Sequence, residues 1–227
     1  MLDQVSLPDV VASLRQFQDV STGIITDAFL RLGINGWMDE VLPIESGTRI
    51  IGRARTITYG PVRRSGKLNE SMYALMARMS PGDVMVIGSG GTHDNLLGDN
   101  MGTFGHRHGI AGIVTDSKTR DREGLRQLGM PVFSRGAGVR PPIEVELQAF
   151  DAVVGCGGAQ VRPGDIIVGD DDGVVVVPAE RAEEVLFQIA DLRQAEERIK
   201  RAITGGVLTE IEQAVANKKV VKPHLVK

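Results

Sequence analysis

The chain of 227 residues contains little of what several classes of protein require. Cys156 is the only cysteine, so no internal disulfide and no multi-cysteine zinc site can form. Aromatic residues make up 4%, too few for a base-stacking surface, and a net charge of -3 provides no basic field for nucleic acid or an anionic membrane. No stretch approaches about 18 uncharged apolar residues, and residues 1–8 lack the pattern of a leader peptide. We therefore expect a cytoplasmic protein that binds neither nucleic acid nor membrane.

The segments that are present predict a single α/β domain over residues 1–227. Short apolar strands at 83–87, 110–115 and 131–134 alternate with helices ending near 108 and 129, which is typical of a mostly parallel sheet. A helix pair over 9–33, a strand over 48–59 and a helix over 68–79 precede them. The β-rich stretch 142–178 predicts a second layer or an extension of the sheet. A C-terminal helical extension starts at about 179; its long helix stops at Gly205-Gly206, and a last short helix follows.

Glycine-rich features occupy the region between 88 and 109. The spacing of Gly98, Gly102, Gly105 and Gly109 predicts one face of a helix that begins after residue 91, suited either to close packing or to approach of a ligand. The turn 88–91 follows a strand but matches neither nucleotide fingerprint, because position 93 is histidine and no Gly-Lys-Ser/Thr follows. Its N–H groups remain candidates for binding a carboxylate or phosphate.

Histidines offer one candidate for substrate contact. His106 and His108 lie two apart on a predicted helix, so they point in different directions and cannot chelate one metal ion. His93 lies in the loop and is the better candidate.

The stretch 116–121 concentrates ionic side chains where α/β proteins bind ligands, after a strand and before a helix. Asp116, Arg120 and Asp121 belong to it, and Asp99 precedes Arg120 with 20 residues between them. Parallel strands leading into both segments would bring Asp99 to the same pocket. The alternative makes Asp121 a helix N-cap and Arg120 part of a surface ion pair.

These residues resemble a known family. Gly98-Asp99, 20 residues and then Arg120-Asp121 is similar to the signature of the class II pyruvate aldolases that cleave 4-hydroxy-4-methyl-2-oxoglutarate and 4-carboxy-4-hydroxy-2-oxoadipate, which share a fold with the RraA-like regulators of ribonuclease activity. Supporting matches are Asp27-Ala28, 52–54, 81–84, 109–112, 131–133 and 170–178. One departure is Ser117-Lys118, where the family usually has Gly after the aspartate at position 116.

The resemblance implies a compact α/β sandwich of the swivelling β/β/α type, assembled as a homotrimer or homohexamer. It implies Mg²⁺ or Mn²⁺ bound by Asp121, with Arg120 on the pyruvate oxygen and Asp99 holding a metal-bound water or relaying a proton. The N–H groups of Asn100 and Met101, next to Gly98, would receive the substrate carboxylate. A carboxylate from a neighbouring subunit's long helix completes the family's site, and Glu196 is the best match, with Glu197 as the fallback.

The chemistry agrees with these residue types. Breaking the C3–C4 bond of a 4-hydroxy-2-oxo acid leaves a pyruvate enolate, whose developing charge needs a Lewis acid and a fixed cation. A single carboxylate supplemented by waters is normal for Mg²⁺. Because loss of CO₂ from oxaloacetate produces the same enolate, we expect oxaloacetate decarboxylation as a side activity.

Two alternatives remain open. The first is a Schiff-base aldolase that uses Lys118, whose pKa the neighbouring Arg120 could depress. The second is an RraA-like protein that binds a ribonuclease and catalyses nothing. The outer wall of the pocket is unassigned, and its candidate residues for substrate choice are Lys67, Glu70, His93 and Lys118.

Overall fold

A computed structural model describes residue 13, residues 15–63 and residues 70–221. The helices are α1 (Thr22–Leu32), α2 (Met72–Met76), α3 (Asp99–His108), α4 (Arg122–Leu128), α5 (Ala182–Gly205) and α6 (Leu208–Lys218). The strands are β1 (Trp37–Met38), β2 (Leu42–Pro43), β3 (Ile50–Pro61), β4 (Asp83–Gly88), β5 (Asn95–Leu97), β6 (Gly112–Thr115), β7 (Lys118–Thr119), β8 (Val132–Ser134), β9 (Val145–Phe150), β10 (Val154–Cys156), β11 (Ala159–Val161), β12 (Ile166–Asp170) and β13 (Gly173–Val177).

Nine of the described strands form one mixed sheet. Its order is β1-β13-β12-β3-β4-β6-β8-β2, and β9 pairs with the far half of the long strand β3. Only the four central strands β3, β4, β6 and β8 pair in parallel, while every strand added to them pairs antiparallel with its neighbour. The expectation of a mostly parallel sheet was therefore wrong. The β-rich stretch after residue 142 extends this sheet through β9, β12 and β13, each of which pairs antiparallel with its neighbour.

The fold has three layers. Helices α1 and α5 cover one face of β12 and β13, and α2, α3 and α4 cover the same face of β4, β6 and β8. The two-stranded ladder β10–β11 covers the opposite face. Because neighbouring residues of a strand point to opposite faces, Val175 and Val177 pack against helices while Val174 and Val176 pack under the ladder. The α/β sandwich and its β/β/α layering agree with the predicted fold class.

Local signals position the helices. The Ser21 hydroxyl accepts from Ile24 N and so caps the start of α1. The carboxylate of Asp170, at the end of β12, accepts from Thr22 N at 2.9 Å and from the Thr22 hydroxyl at 2.6 Å. Helix α5 carries Glu183 and Glu184 in its first turn, and Gly206, its C-cap, has a left-handed backbone conformation. The C-terminal helical segment thus follows its predicted course.

Several predicted boundaries change. The helix predicted over 68–79 is one short helix beginning after Ser71, and residues 68 and 69 lie outside the described residues. Residues 9–12 of the first predicted helix also lie outside them. The helix predicted directly after residue 91 begins only at Asp99, because strand β5 intervenes.

The prediction that four glycines lie on one face of this helix was also wrong. Gly98 and Gly109 are the two caps of α3, and only Gly102 and Gly105 lie within the helix. A side chain on Gly102 would collide with Leu125 of α4, and one on Gly105 would lie 2.7 Å from Ile110 Cδ1. These two glycines therefore serve close packing.

Candidate active site

Two short strands bring the halves of the predicted signature together. Strands β5 and β7 pair in parallel, with Leu97 opposite Thr119. The N–H of Arg120 donates to the carbonyl of Leu97 at 3.0 Å. The residues that follow each strand, Gly98-Asp99 and Arg120-Asp121, consequently lie side by side even though 20 residues separate them in sequence.

Asp121 has a backbone conformation that suits a functional position. It occupies the N-cap of α4 with φ 56°, in the left-handed region, and its side chain makes no capping hydrogen bond. Such a conformation is disfavoured for a residue other than glycine and is common at functional sites. The carboxylate lies instead 3.2 Å from Arg120 Nε, with both side chains about half exposed. The ion pair of the alternative interpretation is present, but the capping bond is not.

Gly98 leaves the space that this ion pair fills. A β-carbon at position 98 would lie 2.6 Å from Asp121 Oδ2 and 3.3 Å from Arg120 Nε. The carboxylate and the guanidinium therefore reach over the start of α3 only because residue 98 has no side chain.

The start of α3 supplies further polar groups. Gly98 is its N-cap and offers no side-chain acceptor, and the first N–H groups of a helix have no carbonyl partner inside it. Asn100 and Met101 belong to this first turn. Asp99 packs toward α4, where its Oδ2 lies 3.2 Å from the position of a β-carbon on Gly124. The structure thus places Gly98, Asp99 and the first-turn N–H groups beside Arg120 and Asp121.

The other predicted carboxylates lie elsewhere in this chain. Glu196 of α5 pairs with Lys218 of α6 at 3.4 Å, and Lys218 also pairs with Asp27 at 2.6 Å. Glu197 pairs with Lys200 at 3.1 Å. Within one chain neither glutamate is recorded in contact with Asp121, so their role in a neighbouring subunit's site stays a prediction.

Most of the other candidate side chains contact groups other than Arg120 and Asp121. The Lys118 ammonium donates to the carbonyl of Arg135 at 3.4 Å. Glu70 pairs with Arg78 at 3.1 Å. His108 bonds Met79 O at 3.0 Å and stacks on Phe104. No recorded contact joins His93 to Arg120 or Asp121, and Lys67 lies outside the described residues.

The glycine-rich turn uses N–H groups internally. Ser89 N donates to Asp116 Oδ1 at 2.8 Å, and Gly91 N donates to the Ser89 hydroxyl at 3.2 Å. Asp116 Oδ2 also accepts from Gly157 N at 3.1 Å. Asp116 therefore ties two loops together, and the predicted anion-binding turn is instead a structural junction.

An open cleft of about 530 Å³ adjoins Arg120 and Asp121. Its floor runs from Thr119 to Arg122 and its wall is formed by Ala137, Gly138 and Val139. Thr119 is fully buried, and its hydroxyl has no hydrogen-bond partner among the described residues. Sequence reasoning missed this wall, and the available signal was its position directly after β8, at the carboxyl end of a parallel strand.

The donors near the cleft are few. Across residue 13, 15–63 and 70–221, no group of three or more His, Cys, Asp or Glu side chains is arranged to hold a metal ion. Cys156 is buried, and burial raises the pKa of its thiol well above the usual value, so it is no ready nucleophile. A cation at this site would depend on one or two carboxylates and on water, a ligand set that Mg²⁺ accepts.

Among the described residues, no helix combines the length and apolar character that crossing a bilayer requires.

The fold and the site define a β/β/α domain in which Arg120 and Asp121 line an open cleft, with Asp99 at the start of the neighbouring helix α3. The chain belongs to the RraA-like family, described as aldolase/RraA, whose model matches residues 22–176. The resemblance inferred from the motifs is thereby confirmed. A Halalkalibacterium halodurans protein named "Putative 4-hydroxy-4-methyl-2-oxoglutarate aldolase" is 34% identical over 86% of this chain and 90% of its own length.

Solved structures agree with this assignment. An uncharacterized protein from Pseudomonas syringae is 31% identical with a TM-score of 0.79, covering 91% of this chain and 94% of that one. Streptomyces coelicolor RraAS2, described as an unusual member of the RNase ES inhibitor RraA family, is 32% identical with a TM-score of 0.74. That match covers 82% of this chain and 94% of RraAS2.

Proposed function

We propose that this protein is a divalent-metal-dependent lyase. It cleaves a 4-hydroxy-2-oxo acid of the 4-hydroxy-4-methyl-2-oxoglutarate type into pyruvate and a second 2-oxo acid. The observation that carries the proposal is the Arg120–Asp121 ion pair, held over Gly98 beside Asp99 at the edge of a cleft. The name of the Halalkalibacterium relative supports the same reaction.

The residues present fit a hard divalent cation. Asp121 offers a half-exposed carboxylate that is not used for capping, in a cradle that a β-carbon on Gly98 would fill. Oxygen donors of this kind suit Mg²⁺ or Mn²⁺. The bound cation supplies a Lewis acid for the oxo group of the substrate.

The chain's own groups bind and orient the substrate. Arg120 places its planar fork on the oxygen where charge develops, and the N–H groups of Asn100 and Met101 receive the substrate carboxylate at the start of α3. The C4 hydroxyl loses its proton, the C3–C4 bond breaks, and its electron pair moves into the pyruvyl half, where C3 takes up a proton. Asp99 positions the water that relays these protons.

A neighbouring subunit completes the site in this proposal. Glu196 lies on the long helix α5, away from its own chain's cleft, and would reach the cleft of a second copy in a homotrimer or homohexamer. Oxaloacetate decarboxylation accompanies the main activity, because loss of CO₂ yields the same enolate.

Two rival functions are a Schiff-base aldolase and a regulator that binds a ribonuclease. A Schiff-base mechanism needs Lys118 at the substrate, but its ammonium points to the Arg135 carbonyl, which supports the metal-dependent route. An RraA-like regulator that binds a ribonuclease is supported by the similarity to RraAS2.

A single assay separates the three. The purified chain is incubated with a panel of 4-hydroxy-2-oxo acids, with EDTA or with added Mn²⁺, and pyruvate is measured by coupling to lactate dehydrogenase. We expect turnover only with the metal, and no covalent labelling when borohydride is added with pyruvate. Labelling at Lys118 would favour the Schiff base, and inactivity across Mg²⁺, Mn²⁺ and Co²⁺ would favour the regulator.

A further inference from the structure

The wall of the cleft faces in a direction that its backbone determines. Thr119 N donates to Gly136 O, and Gly138 N donates to Thr119 O, both at 2.9 Å, so residues 136–138 run beside β7 as an added parallel strand. A β-carbon on Gly138 would lie 2.7 Å from Lys118 Cδ. Position 138 therefore faces Lys118. Neighbouring residues of an extended segment point to the opposite side, so Ala137 and Val139 face away from Lys118 and line the cleft.

This wall is apolar and open. Val139 is 87% exposed, although it is a large aliphatic residue. Together with Ala137 and Gly138 it lines the same cleft as Arg120 and Asp121. An apolar side chain this exposed at the edge of a candidate active site is available for contact with a ligand's hydrocarbon group.

The cations around the wall bind other groups. The Lys118 stem packs against Gly138 and its ammonium lies 3.4 Å from the Arg135 carbonyl. Arg140 pairs through Nε with the buried Asp94 and through Nη2 with Glu144, each at 2.9 Å. Arg135 donates to Asp39 O at 3.3 Å. None of these three side chains lines the described cleft; its floor carries Arg120, which the proposed function assigns to the pyruvyl oxygen, and Arg122, whose Nη2 donates to the Ile44 carbonyl at 3.0 Å.

We infer that Ala137 and Val139 form the subsite for the second substituent on C4 of the substrate, and that this subsite selects a methyl group over a carboxymethyl group. The inference rests on the proposed function. With the pyruvyl half between the start of α3 and Arg120, the C4 end extends into the cleft. A methyl group is well placed against an apolar wall, whereas a further carboxylate meets no cationic or polar side chain on that wall.

The test compares two substrates in one enzyme. With Mn²⁺ bound, kcat/KM is measured for 4-hydroxy-4-methyl-2-oxoglutarate and for 4-carboxy-4-hydroxy-2-oxoadipate, and their ratio is formed. We expect the wild type to favour the methyl substrate by about tenfold or more, as differences between hydrocarbon and polar groups in a pocket usually give. Val139→Lys, which adds a cation at an exposed position, should lower that ratio by about tenfold or more. Using a ratio cancels any general loss of activity in the variant.

The control variant introduces the same positive charge at a position outside the cleft. Ile143 is apolar, 67% exposed and close in sequence to the wall, but it does not line the cleft. Ile143→Lys should keep the wild-type ratio. Oxaloacetate decarboxylation by the wild type reports separately on the pyruvate-forming groups, because oxaloacetate has no such substituent.

The possible outcomes distinguish failure of the subsite from failure of the proposed function. Oxaloacetate turnover together with an unchanged ratio in Val139→Lys, or an equal ratio shift in Ile143→Lys, overturns the subsite and leaves the proposed function intact. Absence of turnover with oxaloacetate and with both aldol substrates overturns the proposed function and the subsite together.

Discussion

The N–H of Arg120 donates to the carbonyl of Leu97 at 3.0 Å, and this bond joins the two halves of the candidate site. It extends the β5–β7 ladder by one residue, so that Gly98 and Asp121 meet at its end. The 20 residues between Asp99 and Arg120 contain helix α3 and strand β6, which return the chain to the same edge of the sheet. The spacing of the signature is therefore a consequence of the fold.

The Gly98–Asp121 contact yields a first prediction. In Gly98→Ala the new methyl group must displace the Asp121 carboxylate and the Arg120 guanidinium, because it would lie 2.6 Å and 3.3 Å from them. Both are ends of flexible side chains, so the fold should survive while the site is misaligned. We expect kcat to fall about 10- to 100-fold, the range typical of small displacements of reacting groups, with an unchanged circular dichroism spectrum.

Gly23→Ala is the matched control for that variant. Gly23 lies in α1, and a β-carbon there meets nothing within 4 Å. Since alanine favours a helix over glycine, we expect stability to rise by up to about 1 kcal/mol and kcat to remain at the wild-type value. Full activity in Gly98→Ala would show that the space over Gly98 is not needed to position Arg120 and Asp121.

Arg120→Lys separates charge from geometry. Lysine keeps a positive charge but lacks the planar fork, so stabilisation of the developing oxyanion should weaken. We expect kcat to fall on the order of 100-fold, while the affinity for Mn²⁺, measured by electron paramagnetic resonance, changes little. Turnover equal to the wild type would exclude Arg120 from the mechanism.

Some of this could be predicted from the sequence and some could not. The buried strands β4, β6 and β8 and the long helix α5 are strong local patterns, and they appear where expected. The antiparallel additions to the sheet and the β5–β7 ladder depend on pairing between distant segments. Strand β7 has only two residues, Lys118 and Thr119, too few for any periodicity.

The same limit applies to side chains at the site. Motifs identified Arg120 and Asp121, but nothing in the local pattern indicates that Asp121 adopts φ 56° or that Gly98 is a cap. The wall residues Ala137 and Val139 are chemically ordinary, and only their pairing with β7 brings them to the cleft. Conversely, His93 and Glu70 look reactive in the sequence but have no recorded contact with the ion pair.

Asp165 predicts a pH dependence of stability. Burial raises the pKa of this carboxyl from 3.8 to about 6, although the N–H groups of Arg162 and Ala179 act in the opposite direction. A raised pKa means that the folded state holds the proton more tightly than the unfolded state. The contribution of this group to stability is therefore greatest below pH 3.8 and decreases as the pH rises through about 6.

Comparison with Asp165→Asn isolates that effect. The free energy of unfolding of both proteins is measured by urea denaturation between pH 4 and 7. Relative to the variant, the wild type should become less stable with rising pH, by on the order of 2 to 3 kcal/mol over the window. A difference that stays constant with pH would contradict the assigned cause.

Glu196→Gln tests the contribution of a neighbouring subunit. If Glu196 completes a second copy's site, the variant should lose about tenfold or more in kcat, as removal of a group that supports a metal site does. Glu197→Gln is the control, because within the described part of the chain Glu197 pairs with Lys200 on the same helix. Size-exclusion chromatography checks that both variants assemble as the wild type does. Loss of activity in Glu197→Gln but not in Glu196→Gln would show that Glu197 is the residue that completes the neighbouring site.

The most direct test of the central claim is the metal requirement of wild type and Asp121→Asn in the cleavage of 4-hydroxy-4-methyl-2-oxoglutarate. Pyruvate release is followed as Mn²⁺ is added back to EDTA-treated protein. If Asp121 is the ligand, the wild type is inactive without metal and recovers fully, while the variant needs about tenfold more Mn²⁺ or more for half-maximal activity. Identical activation curves for the two proteins, or full activity in EDTA, would contradict the account.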